Sequence, residues 1–412
     1  MRPRTSPGTT MSGQRIGYVA RLGAAMAASN YPVTMVRQMI ERCSSSYGLN
    51  ASFIALPNHV QVVGPAAESG SVVKAAQIGR DLRFDQAFPL AGLVSDTLHG
   101  RVDPIAGEAR LDRIEALPQP YPSRVTVLGY GVWSAGLALV LEPTPLNVLV
   151  AGVLGVMVGL FWVAGQRIPE LAYLVPVISA FAVTAICIVG ARYLEFDHVG
   201  LRALIPPLAM FLPGAAITLA VIELTSRDVI SGSSRLIAGF VQIVQLAFGI
   251  VIAAQVFGLD ESQLSPEAIN KIGPWAPWLG VVVYALGVML FLAPPRSFLP
   301  WLVSISAIAY AAQFLGDLLF GSYASGFCGG LALSVAALAM SRLRPAPPAI
   351  TMILPGFWLL VPGSMGLIGV AEIFGADGDD ALPATLISMI SVALGLQAGL
   401  VLWRVIRRQP AR

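Results

Sequence analysis

Two apolar segments of this chain each carry a Pro-Gly pair near mid-length and a glutamate ten residues after the proline. Residues 204–224 read LIPPLAMFLPGAAITLAVIEL, and residues 353–373 read ILPGFWLLVPGSMGLIGVAEI. A shift of 149 positions superposes the two segments, pairing Pro213 with Pro362, Gly214 with Gly363, and Glu223 with Glu372. Apolar segments of this length predict membrane-spanning helices, and a central proline interrupts the helical hydrogen-bond ladder. Interrupted spans at matching places in two halves are typical of secondary transporters.

The chemistry expected at each Pro-Gly pair is the binding of a small polar solute. Two half-helices that meet there leave backbone N–H and C=O groups without partners. Their ends carry about half a unit charge, positive at the N-terminus and negative at the C-terminus. A zwitterionic solute needs both signs, so we predict substrate contacts at both pairs. The alternative is that proline and glycine only kink these helices for packing.

Several acidic and polar residues are candidates for coupling transport to protons. Glu223 and Glu372 lie about 15 Å along a helix from the prolines, which places them either at a membrane interface or at a protonatable gate. Asp228 is a third candidate. The alternative is an ion pair with Arg235, which is seven residues later and shares a face with Asp228 if the segment is helical. Gln242 and Gln245 share a face of the next span, as substrate ligands or as contacts between helices.

Other kinds of site find no support in the sequence. The three histidines have no metal-ligand spacing, and the three cysteines are too scattered for a metal cluster or a disulfide framework. Phosphate-binding, hydrolase and metalloprotease motifs are missing from the sequence. We therefore predict no catalytic residue, no metal, no cofactor and no nucleic-acid partner.

Composition divides the chain into a polar first part and an apolar remainder. Its 412 residues are 56% hydrophobic and 12% charged, with a mean hydropathy of +0.73. Soluble domains carry about 25% charged residues, so most of this chain must be solvated by lipid. Residues 1–120 hold 12 basic and 9 acidic residues, whereas the remaining 292 residues hold 14 of each. No signal-peptide pattern opens the sequence, so we expect a cytosolic N-terminal domain.

The pattern of residues 1–120 predicts a small α+β domain. Residues 1–11 are expected to be disordered and residues 118–122 to form a stiff proline-rich linker. Between them we predict two helices, a β-hairpin, a further strand and two more helices. The predicted helices cover 12–29, 32–47, 88–98 and 104–117, and the predicted strands cover 51–56, 60–63 and 72–78.

The remainder predicts ten membrane spans in two inverted repeats. The spans are 124–141, 146–165, 171–191, 202–224, 235–257, 275–293, 298–316, 318–340, 349–374 and 383–404. An N-terminus inside the cell leaves ten arginines on the cytoplasmic side against three basic residues outside, which places both termini in the cytoplasm. Five spans per repeat force the second copy to be upside down relative to the first. The predicted domains are therefore 1–120, 121–257 and 258–412, and Asp317 is expected in the turn between the seventh and eighth spans.

The sequence also resembles a known family. The opening from Leu22-Gly23 through Tyr31-Pro32 to Tyr47-Gly48-Leu49 resembles the start of the cytosolic domain of the threonine/serine exporter family. The segment from Pro213-Gly214 to Arg235-Leu236 is similar to that family's Pro-Gly … Asp-x-x-Ser-Gly-x-x-x-Arg-Leu pattern. The second half lacks the Ser-Gly-x-x-x-Arg part. The residues that match the family pattern are Pro213, Gly214, Asp228, Ser231, Gly232 and Arg235.

The resemblance implies export of threonine, serine or related small amino acids or peptides through the cytoplasmic (inner) membrane, driven by the proton-motive force. Its partners would be the substrate, protons and membrane lipid, and a homo-oligomer is left open. Two alternatives remain at this point. One is a membrane-anchored sensing or scaffold protein in which the N-terminal domain does the work, and the other is a channel.

Overall fold

A computed structural model describes residues 7–65, 71–77, 81–193, 204–258, 270–343, 345–360 and 381–408. The chain is mainly helical and divides into two compact units. The first unit combines Met1–Pro120 with the short segment Ile222–Arg235. The second unit comprises Tyr121–Val221 and Leu236–Arg412.

The first unit contains four helices and one small antiparallel sheet. Its helices are α1 (Pro7–Ala28), α2 (Val33–Ser46), α3 (Phe84–Leu98) and α4 (Pro104–Glu115). The strands are β1 (Ser52–Leu56), β2 (His59–Pro65) and β3 (Ser71–Gln77), in the order β1-β2-β3. In the register, Val60 of β2 pairs with Ala55 of β1 and with Ala76 of β3. The predicted hairpin, third strand and α+β class are confirmed.

The core of this unit lies between α1 and its neighbours. Helix α1 packs on β2, β3, α2 and α4. A Cβ atom added to Gly23 would lie 2.9 Å from the Ile40 side chain and 3.1 Å from that of Val60, so glycine permits a close approach. The fully buried side chains include Ile16, Tyr18, Val19, Leu22, Met26, Val36, Ile40, Val60 and Val62 of α1, α2 and β2, and Leu90, Leu93 and Leu111 of α3 and α4.

Two helix starts in the first unit differ from the prediction. Helix α1 begins at Pro7, so the predicted disorder is wrong for residues 7–11, while residues 1–6 lie outside the described part. Helix α3 begins at Phe84 rather than at residue 88. The Gln86 Oε1 accepts a hydrogen bond from Arg83 N (2.8 Å) and closes the first turn. The Gln86 Nε2 donates to Ile114 O (2.8 Å), so this buried amide also connects α3 to α4.

The second unit is built from apolar helices. In chain order the remaining helices are α5 (Ser123–Leu141), α6 (Pro145–Arg167), α7 (Pro169–Ala172), α8 (Val175–Tyr193), α9 (Ile205–Leu208), α10 (Gly214–Thr225), α11 (Val229–Phe257), α12 (Ala276–Phe291), α13 (Leu299–Phe320), α14 (Ser322–Met340), α15 (Ala349–Leu359) and α16 (Ala381–Arg408). The C-terminal end of α10 and the N-terminal end of α11 belong to the segment Ile222–Arg235 of the first unit.

Five of the described helices are long and apolar enough to cross a membrane, and a bent pair adds a sixth candidate. The five are α5, α6, α8, α11 and the stretch Arg296–Phe320, and the bent pair is Ile205–Phe211 with Gly214–Thr225. Only about a third of the apolar window of α6 is buried within the protein. Leu149, Val153 and Leu160 on this helix are more than half exposed, as expected of side chains that contact lipid.

The expected turn at Asp317 is wrong. Asp317 lies inside α13, which continues to Phe320, and the helix ends at Gly321. The φ angle of Gly321 is 84°, a left-handed conformation that glycine adopts without strain, and Gly321 N donates to Asp317 O (2.9 Å). Gly321, and not Asp317, therefore ends α13 and separates it from α14.

Helices α5 and α12 approach each other closely along a line of glycines. A Cβ atom on Gly136 would overlap the backbone of Tyr284, and one on Gly287 would overlap the backbone of Trp133. A Cβ atom on Gly129 would lie 2.6 Å from the Leu290 Cβ. Low residue numbers in α5 therefore meet high numbers in α12, so the two helices are antiparallel.

This packing predicts that Gly136→Ala and Gly287→Ala each destabilise the protein by about 1–3 kcal/mol, because the added methyl group must displace backbone. Gly152→Ala is the matched control, since its Cβ would lie 3.6 Å from the nearest atom, the Ala135 Cβ. Its expected effect is neutral or stabilising by up to about 1 kcal/mol. Thermal unfolding in detergent measures all three variants. Equal melting temperatures would contradict the packing.

Candidate functional site

The predicted interruption near Pro213 is present. After α9, residues Ala209–Phe211 form a 3₁₀ turn, Leu212 is extended (φ −69°, ψ 124°), and α10 begins at Gly214. The two pieces are bent by 49° relative to each other. Pro213 and Gly214 are both buried. The bend follows from local chemistry, since proline supplies no N–H to continue the ladder.

The other end of α10 turns sharply into α11. Arg227 adopts a left-handed conformation (φ 64°), and its N–H donates to Leu224 O (3.0 Å). Asp228 N donates to Glu223 O (2.8 Å), which closes the turn. Asp228 directly precedes α11, whose first helical bond runs from Gly232 N to Asp228 O (3.0 Å). This turn belongs to the first unit and places the sequence-predicted acids beside α2.

Glu223 is the most buried charged residue of the site. Its side chain is fully buried, and its Oε1 accepts a hydrogen bond from Val33 N (3.0 Å). Its Oε2 lies 3.2 Å from the Arg235 Nε, and the Arg235 side chain is 14% exposed. A desolvated carboxylate of this kind needs both partners, because an unpaired buried charge costs several kcal/mol.

Asp228 makes a separate pair beside it. Its Oδ2 accepts from a guanidinium nitrogen of Arg37, and its Oδ1 accepts from the Ser231 Oγ (2.9 Å). The expected Asp228–Arg235 ion pair is therefore corrected, since Arg235 pairs with Glu223. Residues 228 and 235 do share a helical face, but Glu223 reaches Arg235 because the turn at Arg227 folds the end of α10 back onto α11.

The carboxylate of Glu223 also acts as the cap of α2. Pro32 precedes α2 and provides no side-chain cap, so the first amide of this helix needs an acceptor from elsewhere. Glu223 provides that acceptor from 190 residues away. A negative charge at a helix N-terminus contributes about 0.3–1 kcal/mol, and up to about 2 kcal/mol where it is partly buried.

We call the linked set of Val33, Arg37, Glu223, Asp228, Ser231 and Arg235 the Glu223 network. Sequence reasoning found its last four members but missed Val33 and Arg37. Two features could have indicated these residues. Pro32 leaves the start of the helix without a side-chain cap, and Arg37 lies four residues after Val33 on the same face. What the sequence did not reveal is which distant carboxylates would meet them.

The other predicted residues that the structure describes contribute no side chain to the Glu223 network. Gly232 is buried in the first turn of α11, within the first unit. Gln242 and Gln245 are half-buried further along α11, in the second unit. Pro362, Gly363 and Glu372 lie outside the described residues.

The cap predicts fast amide exchange at Val33 when the acceptor is removed. Glu223→Ala should raise the hydrogen-exchange rate of the Val33 amide about tenfold or more, because a hydrogen bond to a charged group is worth about 1.5–3 kcal/mol. Glu223→Gln should raise it less, since an amide oxygen still accepts. Asp112→Asn is the control, because the Arg21–Asp112 pair of the same unit is exposed and such pairs contribute little. Exchange at Val33 that is unchanged in Glu223→Ala would refute the cap.

A family model described as "Putative threonine/serine exporter" matches residues 17–257, a stretch that includes the first unit from residue 17 onward, the bent pair and the Glu223 network. No solved structure matches the chain.

Relatives are found among yeast membrane proteins. The chain is similar to pheromone-regulated membrane protein 10 of Candida glabrata (24% identity over 94% of this chain and 52% of that protein). It is also similar to proteins of that name from Zygosaccharomyces rouxii (24% identity, 94% of this chain, 42% of that protein) and Saccharomyces cerevisiae S288c (25% identity, 73% and 80%). The chain spans about half the length of the first two of these relatives. From the match over more than half of its residues, this membrane protein belongs to the threonine/serine exporter family.

Proposed function

We propose that the protein is a secondary transporter that exports small amino acids such as threonine and serine across the cytoplasmic membrane by alternating access. The observation that carries this proposal is the bent pair of helices, whose break at Pro213-Gly214 is followed, on the same helix, by the buried carboxylate of Glu223. Freed backbone groups at the break suit a zwitterionic solute, and the carboxylate suits a proton.

An inverted repeat is supported by the direction of α5 and α12. These helices are the first predicted spans of the two halves, and their glycine contacts make them antiparallel. If α6, α8, the bent pair and α11 each cross the membrane between them, the sixth span must run opposite to the first. That is the relation expected of two five-helix units of opposite orientation.

The third and fifth helices of each half provide further support. In the first half, Gly249 of α11 packs on Val177 near the start of α8, while Gly258 O accepts from Arg192 near its end (3.1 Å). In the second half, Gly395 of α16 packs on Phe327 of α14, and Gly399 packs on Ser334. Both pairs are parallel, so equivalent helices pair in the same way in each half.

The full proposal has ten spans, with residues 1–120 as a cytoplasmic domain and residues 121–257 and 258–412 as the two repeats. The arginine bias of the predicted cytoplasmic loops supports this orientation. Substrate would contact the breaks at Pro213-Gly214 and Pro362-Gly363, with Ser231, Gly232, Gln242 and Gln245 as further candidate ligands.

Proton coupling would use Glu223, with Asp228 and Glu372 as further candidates. A proton taken up by Glu223 would neutralise the partner of Arg235 and weaken the cap of α2. The contacts of this carboxyl group would therefore depend on whether it is protonated. One charge moving through about 150 mV provides about 3.5 kcal/mol, enough for a gradient of about 300-fold.

The proposal predicts efflux of preloaded threonine or serine from proteoliposomes. Pro213→Ala should slow this efflux at least tenfold, because alanine restores an N–H and favours a continuous helix. Pro300→Ala is the control, since Pro300 lies in the first turn of α13, where proline replaces no helical bond. Wild-type efflux that does not exceed that of empty vesicles would remove the proposal.

Coupling is tested separately with Glu223→Gln. This variant should lose the acceleration of efflux by an imposed proton gradient and keep exchange of labelled for unlabelled amino acid, because exchange needs no net proton movement. Asp317→Asn, at an exposed carboxylate of α13, should keep both activities. Gradient-driven efflux that persists in Glu223→Gln would transfer the coupling role to another acid.

A further inference from the structure

The first interrupted span is held by side chains of α5. The Tyr130 hydroxyl donates to Pro207 O (2.8 Å) and accepts from Met210 N (3.2 Å). The Ser134 Oγ donates to Pro206 O (3.0 Å). Tyr130 and Ser134 are one helical turn apart, so both hydroxyls face the same helix end. All three bonds lie in the second unit.

Tyr130 replaces part of a helical ladder. In a regular α-helix, Met210 N would donate to Pro206 O, four residues earlier. Here the chain tightens into a 3₁₀ turn and Met210 N binds the tyrosine hydroxyl instead. Ser134 binds the Pro206 carbonyl oxygen. Such substitutions are what allow an interrupted helix to exist in a membrane, where water cannot satisfy the freed groups.

A matching tyrosine holds the corresponding segment of the second half. The Tyr284 hydroxyl donates to Pro355 O (2.6 Å), and Pro355 corresponds to Pro206 in the 149-residue shift. The two attachments differ in detail. Helix α15 continues through Pro355 to Leu359, whereas α9 ends at Leu208 and is followed by a 3₁₀ turn. Equivalent segments are thus held in two different conformations.

One aromatic residue connects the two attachments. The Trp133 ring lies 5.6 Å from that of Tyr130 and 5.8 Å from that of Tyr284, measured between centroids. It also lies 5.4 Å from the Trp358 ring on α15. All but Trp358 are fully buried. A rearrangement at either tyrosine therefore changes the packing of the other through Trp133.

We propose that Tyr130 and Tyr284 are matched positioning residues, each of which stabilises the segment that it contacts in its own half in the conformation of one access state. This inference rests on the proposed transport function. In an inverted repeat, the two halves exchange conformations when the carrier changes the side to which it opens. Loss of the Tyr130 hydrogen bonds therefore favours one access state, and loss of the Tyr284 hydrogen bond favours the opposite state.

The test measures side-specific access in proteoliposomes. A single cysteine replaces Ala215, which is half-buried just beyond the break, in a background without the three native cysteines. A membrane-impermeant thiol reagent is added outside or enclosed inside. Tyr130→Phe and Tyr284→Phe should shift the ratio of outside to inside labelling by about three- to tenfold in opposite directions, the effect expected from one hydrogen bond.

The controls separate positioning from stability. Tyr310→Phe, at a tyrosine of α13 that contacts the Trp278 and Phe314 rings, should leave the ratio unchanged. Ser134→Ala removes only the bond to Pro206 O, so it should shift the ratio in the direction of Tyr130→Phe and replaces that variant if it does not fold. Shifts in the same direction, or no shift, would overturn the inference.

Transport by the wild type is measured in the same vesicles. Wild-type transport without opposite shifts would overturn the matched roles of the tyrosines and leave the proposed function standing. Absence of wild-type transport would instead count against the proposed function itself, and with it the inference that rests on it.

Discussion

The structure depends on satisfying the backbone groups that an interrupted membrane helix releases. A carbonyl or amide without a partner in hydrocarbon costs several kcal/mol, so a broken span persists only where neighbouring side chains replace the missing bonds. Around the first interruption, Tyr130 and Ser134 provide these bonds from α5. The glycines that bring α5 against α12 place Tyr284 of α12 against Trp133 of α5, and Trp133 also contacts Tyr130. The packing of these two helices therefore links the residues that hold the two spans.

A second group that needs compensating partners lies at the C-terminal end of α10, where the Glu223 carboxylate is fully buried. Glu223 is stabilised by one amide and one guanidinium, and Asp228 is stabilised by Arg37 and Ser231. Two acids and two arginines balance in charge, so the Glu223 network is satisfied while both acids are ionised. A change in the charge of either acid disturbs the start of α2 and the turn at Arg227 together. Such a dependence on charge is what the proposed proton coupling requires.

Much of this could be predicted from the sequence. Apolar length identified the helices, the Pro-Gly pair at Pro213 identified the bend, and alternation identified the small sheet. Contacts between distant residues could not be predicted, because a carboxylate such as Glu223 has no local pattern that selects Val33 as its partner. The same reason explains why the predicted pairing of Asp228 with Arg235 is wrong. That prediction used helical spacing alone, which does not reveal the left-handed turn at Arg227. Tyr130 and Tyr284 were missed because a buried tyrosine in an apolar helix resembles any other core residue.

We propose that two five-helix halves of opposite orientation surround the two Pro-Gly segments. The most direct measurement is the sidedness of the loops that follow the two spans. Single cysteines are placed at Ser226, which is exposed in the turn before α11, and at Gly378, in a background without native cysteines. Labelling with an impermeant thiol reagent in intact cells and in inverted vesicles should place residue 226 on the cytoplasmic side and residue 378 on the outside. Labelling of both residues from the same side would rule out opposite orientations of the two halves.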